Sequence, residues 1–302
     1  MKEYNFIAQP GINKLRLDLL LSNFSKENKL GISRTLIKEI IFKGDVRVAG
    51  RVVKKPNTKV KEEERVSFSL EEKKPCSIKA EDIKLDIIYE DESLAVINKP
   101  SGMVVHPAPG NYEHTLVNAM KNIFSSLSDI NTARSGIVHR LDKETSGLLI
   151  IAKDNQSHLE LASQFAKHKV EREYIAIVKG RVEFDEGVIE APIARDEYKR
   201  KSMSVNFSAK SKEAKTYYRT LKRCESFSLL SLKPVTGRTH QLRVHLDFIG
   251  HPILGDSKYG KNNKFTRLAL HAKRLKFIHP KTGEPLEFSV PLPEELQALF
   301  TK

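Results

Sequence analysis

Three segments carry side chains that could do chemistry. Residues 136–147, GIVHRLDKETSG, place Asp142 in a polar loop that runs straight into the apolar stretch 148–152, so a carboxylate is held between two buried runs. Such a carboxylate can serve as a nucleophile or a base. Residues 236–245, TGRTHQLRVH, set Arg238 directly after a glycine in a turn before a helix, where a guanidinium suits an oxyanion, a phosphate or a partner carboxylate. Residues 170–180 read as a strand with Tyr174 near its start. Plainer roles stay open for each. Asp142 could close an Asx turn with Thr145, Ser146 and Gly147, Arg238 could be a surface arginine, and Tyr174 a half-buried sheet residue. His240 and His245 are five apart and fall on different helical faces, which argues against a zinc helix. Pro and Gly account for the turns at residues 99–102 and 106–110.

Several usual signatures are absent: no G-x-x-x-x-G-K-[ST] loop, no G-x-G-x-x-G fingerprint, no G-x-S-x-G elbow and no H-E-x-x-H pair. Cys76 and Cys224 are the only cysteines, so neither a disulfide framework nor a cysteine-rich zinc site is available, and a reducing cytoplasm fits. The longest clear apolar run is residues 148–152, far short of the roughly 20 residues of a membrane helix, and the amino terminus MKEYNFIAQP lacks a secretory h-region. Fifty-two Lys and Arg against thirty-eight Asp and Glu give a charge of +14, which points to a polyanionic partner, nucleic acid or an acidic membrane surface.

That charge is unevenly spread. Residues 1–84 and 85–302 each carry +7, so the shorter first part is much denser in positive charge, as a small basic module before a larger body would be. The charged stretch 71–75, ending in proline, reads as a linker. Ahead of it, Ser33 is a plausible N-cap for a helix whose Leu36, Ile37, Ile40 and Ile41 share a face and which Gly44 stops. Alternating runs at 45–48, 51–54 and 66–70, with a turn at Ala49-Gly50, read as short strands. Arg34, Lys38, Lys43, Arg47, Arg51, Lys54 and Lys55 are left facing outward, where singly they are solvated surface and together they could track a phosphate backbone. In the larger part, residues 85–89 and 94–98 read as a hairpin, 115–124 and 156–167 as helices, and 174–178, 216–221 and 226–232 as strands. Strands and helices do not alternate strictly. The fold class is therefore α+β, with a mixed, mainly antiparallel sheet and flanking helices.

Taken together, these motifs resemble a known family. SRTLIKEIIFKGDVRVAGRVVKKP resembles the RNA-binding domain named after ribosomal protein S-four, over residues 15–71. NKPSGMVVHP, HRLDKETSGLLIIAK, REYIAIVKG, GRTHQLRVH, GHPILGDSKYG and LALHAKRLKFIHPKTGE occur in one order and resemble the RluA/RluD pseudouridine synthases, from about residue 85 to 295. The division implied is an S-four-like domain at 15–71, a linker at 72–84 and a catalytic domain at 85–302. The resemblance implies isomerisation of uridine in RNA to its carbon-linked form, without cofactor or metal, on large-subunit (23S) ribosomal RNA, as precursor or assembling subunit, with no membrane partner. By motif, Asp142 would be the catalytic carboxylate, Arg238 its charge partner, Tyr174 the ring against the uracil, and Arg140 the side chain filling the place of a flipped base. The chain departs from the family pattern at His114, often Gly, and at Arg172, often Lys. Two rival readings are an RNA-binding or ribosome-assembly factor with a spent catalytic body, and a nucleosidase or glycosidase using the same carboxylate.

Overall fold

The computed structural model describes residues 2–9, 14–28, 30, 32, 34–70, 78–108, 110–197, 199, 202–260 and 265–300. The chain forms two units, Met1–Ser77 and Ile78–Lys302.

The first unit contains β1 (Lys2–Ile7), β2 (Leu15–Arg16), α1 (Leu17–Glu27), α2 (Arg34–Lys43), β3 (Val46–Val48), β4 (Arg51–Val52), β5 (Lys59–Val60) and β6 (Arg65–Leu70). One antiparallel sheet has the order β1-β6-β3-β4, and β2 pairs with β5. The apolar faces of the two helices close over it, burying Leu17, Leu21, Ile37, Ile41, Val66 and Phe68, each worth about 1.5–3 kcal/mol. After α2, Gly44 at φ +90 completes a Schellman cap, with Asp45 N–H donating to Ile40 O (3.0 Å) and Gly44 N–H to Ile41 O (3.1 Å). Ala49 and Gly50, both at positive φ, make the two-residue turn of the β3–β4 hairpin. Ser33, read as the helix cap, lies outside the described residues. The unit reaches further toward the amino terminus than the 15–71 of the sequence reading, because β1 pairs with β6 along its whole length.

In the second unit β7 (Asp86–Glu90), β8 (Leu94–Lys99), α3 (Leu116–Ile123), β9 (Ser146–Ala152), α4 (Asn155–Ala166) and β10 (Glu171–Lys179) come first. β11 (Glu186–Glu190), β12 (Ile193–Arg195), β13 (Met203–Val205), β14 (Lys215–Arg223), β15 (Phe227–Pro234), α5 (Gln241–Phe248), β16 (Leu270–Ile278), β17 (Pro285–Ser289) and α6 (Glu294–Gln297) follow. Of the stretch 72–84 read as a linker, residues 72–77 lie outside the described residues, whereas 78–84 belong to this unit: Asn118 Nδ2 donates to Lys79 O at 2.9 Å.

The large sheet runs β11-β14-β15-β10-β16-β9-β8-β7, with β17 on β16. Its neighbours are antiparallel except β16 and β9, which pair in parallel over only two residues, His271↔Ser146 and Ala272↔Gly147. Beyond them β17 takes over the edge of β16, from Arg274 onward. The sheet therefore opens between β9 and β16, and a second core of Leu148, Ile150, Phe277 and Val170 fills the gap under α4. The close parallel contact needs glycine: a Cβ on Gly147, at φ +110, would lie 2.2 Å from Ala272 O. Thus the loop that ends at Gly147 is fixed to the middle of the sheet.

Candidate active site

Both ends of the Asp142 loop are anchored. At its start His139 Nε2 accepts from Ile150 N–H (2.9 Å), and the ring stacks on Phe165 at 4.5 Å. Burial, then the charge of Arg172, pushes the His139 pKa down to about 3, consistent with a neutral acceptor. At its end Arg267 Nη2 donates to Ser146 Oγ (2.6 Å), and that hydroxyl shares a 2.9 Å hydrogen bond with His271 Nδ1. Underneath, the buried Lys99 ammonium gives its three protons to the carbonyls of Pro100 (2.7 Å), Met103 (3.0 Å) and Lys143 (3.2 Å). Burial lowers its pKa to about 7, against the pull of Asp142.

Within this frame the Asp142 backbone makes a turn, Thr145 N–H donating to Asp142 O (3.1 Å), but the carboxylate does not cap it. It points instead at a guanidinium. That guanidinium belongs to Arg243, not to Arg238: Arg243 Nη1 donates to Asp142 Oδ2 at 3.2 Å. Arg238 sits in the turn before α5, where its Nε donates to Glu213 O (3.0 Å), whereas Arg243 lies inside the helix on a buried face. Of the two side chains, Asp142 keeps 19% exposure and Arg243 only 5%. The carboxylate can be reached and its partner cannot.

Arg243 is in turn clamped by Asp256, which is fully buried: Nε to Oδ2 at 2.7 Å and Nη2 to Oδ1 at 2.8 Å, a bidentate pair. Asp256 Oδ1 also accepts from the backbone N–H of Lys258 and Tyr259. Burial works against the charge of Arg243, but Asp256 and then Asp142 outweigh it and raise its pKa, so it stays cationic. Burial likewise works against the Asp256 carboxylate, and Arg243 more than restores it, holding its pKa low. Gly255 lets the chain reach this point, since a Cβ there would lie 1.7 Å from Arg267 O. His240, at the mouth of α5, lies 4.0 Å from Asp142 Oδ1 and shares a 2.7 Å hydrogen bond with the Tyr259 hydroxyl, which accepts from Met203 N–H. Burial lowers its pKa despite Asp142.

A cavity of about 530 Å³ opens over these groups. Asp142, Tyr174, Arg238 and Arg140, all singled out from sequence, line it together. Tyr174 is buried in β10 between Leu232 and Ala272, and burial raises its pKa, so it presents a neutral phenol. Arg140 is exposed at the rim. Arg172 also lines the cavity, and its Nη2 faces the carbonyls of Pro234, Val235 and Thr236 at 3.2–3.3 Å, tying β10 to the loop before α5. Gln241 organises that loop, accepting from Thr236 Oγ1 (2.7 Å) and Arg238 N–H (3.0 Å). Arg243, Asp256, Gln241 and Tyr259 carry no role in the sequence reading, although each stands in a motif it quotes. Volume, polarity and a reachable anion suit one base with its ribose.

The S-four-like unit presents a different surface. Arg34, Lys38, Lys43, Arg47 and Arg51 are all exposed, on α2 and the β3–β4 hairpin. Cations so arranged can neutralise phosphates without reading a sequence.

Residues 93–248 match the family described as RNA pseudouridylate synthase, and residues 15–66 match the S4 domain. The chain belongs to the RNA pseudouridylate synthase family, whose enzymes isomerise uridine in RNA. It is 43% identical to the RNA pseudouridine synthase YlyB of Bacillus subtilis (strain 168), over 99% of this chain and 98% of that protein. Identity is also 43% to ribosomal large subunit pseudouridine synthase D of Zymomonas mobilis, over 89% of each. Among solved structures, human RNA pseudouridylate synthase domain containing 1 superposes with a TM-score of 0.60 at 26% identity, covering 72% of this chain and 89% of that one.

Proposed function

We propose that this enzyme converts uridine to pseudouridine in large-subunit ribosomal RNA, as precursor or assembling subunit, and that Asp142 is its catalytic carboxylate. One observation carries the site assignment: Asp142 is an accessible carboxylate on the wall of a uridine-sized cavity, backed by a clamped guanidinium. In the reaction the N1–C1′ bond breaks, the uracil turns, and a C5–C1′ bond forms. N1 gains a proton and C5 loses one, so no oxidant, metal or second substrate is required. Asp142 meets the anomeric centre as a nucleophile at C1′ or a base beside it. Arg243 holds it in place by a hydrogen bond, and Tyr174 offers its neutral ring as a face for the uracil. Arg238 borders the same space.

The target base must leave its stack at a cost of a few kcal/mol, and Arg140 at the rim is the candidate to fill the gap. The S-four unit supplies affinity through Arg34, Lys38, Lys43, Arg47 and Arg51. The names of the relatives support ribosomal RNA as the substrate, and such a substrate supports a cytoplasmic enzyme. Among the described residues no helix is long and apolar enough to cross a membrane.

The test is incubation with ribosomal RNA tritiated at uracil C5. Tritium passing to water with intact strands and no free uracil is the expected result. Free uracil would favour a nucleosidase, and retention of all tritium a binding factor.

A further inference from the structure

Asp142 borders two cavities. The second, of about 340 Å³, shares Arg140, Leu141, Asp142, His240 and Arg243 with the first but leads away from Tyr174, toward Val104, His106, Asn111, Ser257 and Lys258. If the uracil lies on Tyr174 and C1′ at Asp142, the sugar-phosphate chain needs a separate way out of the site. This space adjoins Asp142 and is not bordered by Tyr174.

Its lining suits an anion. Arg140 and Lys143 are exposed cations at its edge, and Lys258 borders it as well. His106 is 7% exposed, and among the described residues its Nδ1 is buried without a hydrogen-bond partner. A buried polar atom left so is costly, and a ligand is a common reason for keeping one. Burial, then the charges of Arg134 and Arg140, lowers its pKa to about 4. The segment that carries His106 is joined to the start of α3: Leu116 N–H donates to Val104 O (2.8 Å) and Val117 N–H to Val105 O (3.1 Å).

We propose that this second cavity seats a phosphodiester flanking the target uridine, with the His106 imidazole as a positioning residue and Lys143 as its counter-charge. The proposal rests on the pseudouridine synthase reading and adds to it where the RNA backbone goes.

The test uses a short ribosomal RNA stem–loop that the wild-type enzyme modifies at one uridine, made with the native linkage or with an uncharged methylphosphonate at either phosphate flanking that uridine. Binding and single-turnover tritium release are measured for the wild type, His106→Ala and Lys143→Gln. Lys143 is exposed, so its variant keeps the test alive should His106→Ala fail to fold. The expected result is that one methylphosphonate weakens wild-type binding about tenfold and weakens each variant by less than about threefold, because the contact is already gone. Equal penalties in wild type and variants, or no penalty at either linkage, would overturn the proposal. Failure of the wild type to release tritium from any ribosomal RNA offered would instead overturn the reading beneath it, so the two failures are distinct.

Discussion

The cleft and the basic face of the S-four unit both depend on arginine and lysine, yet they use charge in opposite ways. In the cleft, Arg243 is buried, forked onto Asp256 and aimed at Asp142, so its value lies in direction. On the first unit, Arg34, Lys38, Lys43, Arg47 and Arg51 are exposed, and their value lies in number. A buried pair broken on one side leaves an uncompensated charge and costs about 3–5 kcal/mol, while an exposed cation gives up little beyond its screened attraction. Conservative substitution should therefore separate the two regions sharply.

The largest effect is expected from Arg243→Lys. Charge is kept, but a point ammonium cannot hold Asp256 at two atoms and Asp142 at a third, so kcat should fall about a hundredfold with KM nearly unchanged. Equal loss in KM would mean that Arg243 binds RNA and does not orient Asp142. Next comes replacement of all five basic residues of the S-four face by Gln. KM should rise about tenfold, kcat should hold, and the log–log salt slope should flatten by about 0.7–0.9 for each phosphate contact removed. An unchanged slope would move the RNA contacts elsewhere.

Acid stability gives a third contrast. The folded pKa of His139 lies near 3, below its ordinary 6.5, so the unfolded chain binds the extra proton first as the pH drops. Stability supplied by this residue is full above pH 6.5 and is lost at about 1.4 kcal/mol per pH unit as the pH falls toward 3. His106 and His271, both lowered to about 4, act in the same direction. Denaturant titrations between pH 7 and 4 should show this slope and its reduction in His139→Gln. The smallest effect belongs to Arg47→Lys, expected to change KM by less than about twofold.

Much of this was legible in the sequence where local pattern and motif agreed. The 94–98 and 148–152 runs are buried strands, and the loop between Arg140 and Gly147 sits where its flanking apolar residues put it. β16 was not legible as a strand, although its residues stand in a quoted motif, because Lys273, Arg274 and Lys276 interrupt its apolar pattern and its pairing partners β9 and β10 come from distant parts of the chain. β1 was missed for a like reason: its partner β6 is some sixty residues away. The choice of Arg238 over Arg243 failed because spacing cannot say which side of α5 faces Asp142. The available signal was Asp256, a carboxylate beside Gly255 that is fully buried and needs a cation. His114 shows why the family pattern often has glycine there. It sits at φ +57, and its N–H and ring are held by Glu81. Arg172, the other departure, reaches the cavity wall and belongs to the site more closely than its motif position suggests.

The role proposed for Asp142 is chemistry that its shape alone cannot do. Asp142→Asn preserves size and can still accept a hydrogen bond from Arg243, so single-turnover tritium release from C5-labelled ribosomal RNA isolates the charge. The expected result is a rate lower by about a thousandfold or more with RNA binding intact. Release at the wild-type rate would contradict the account at its centre.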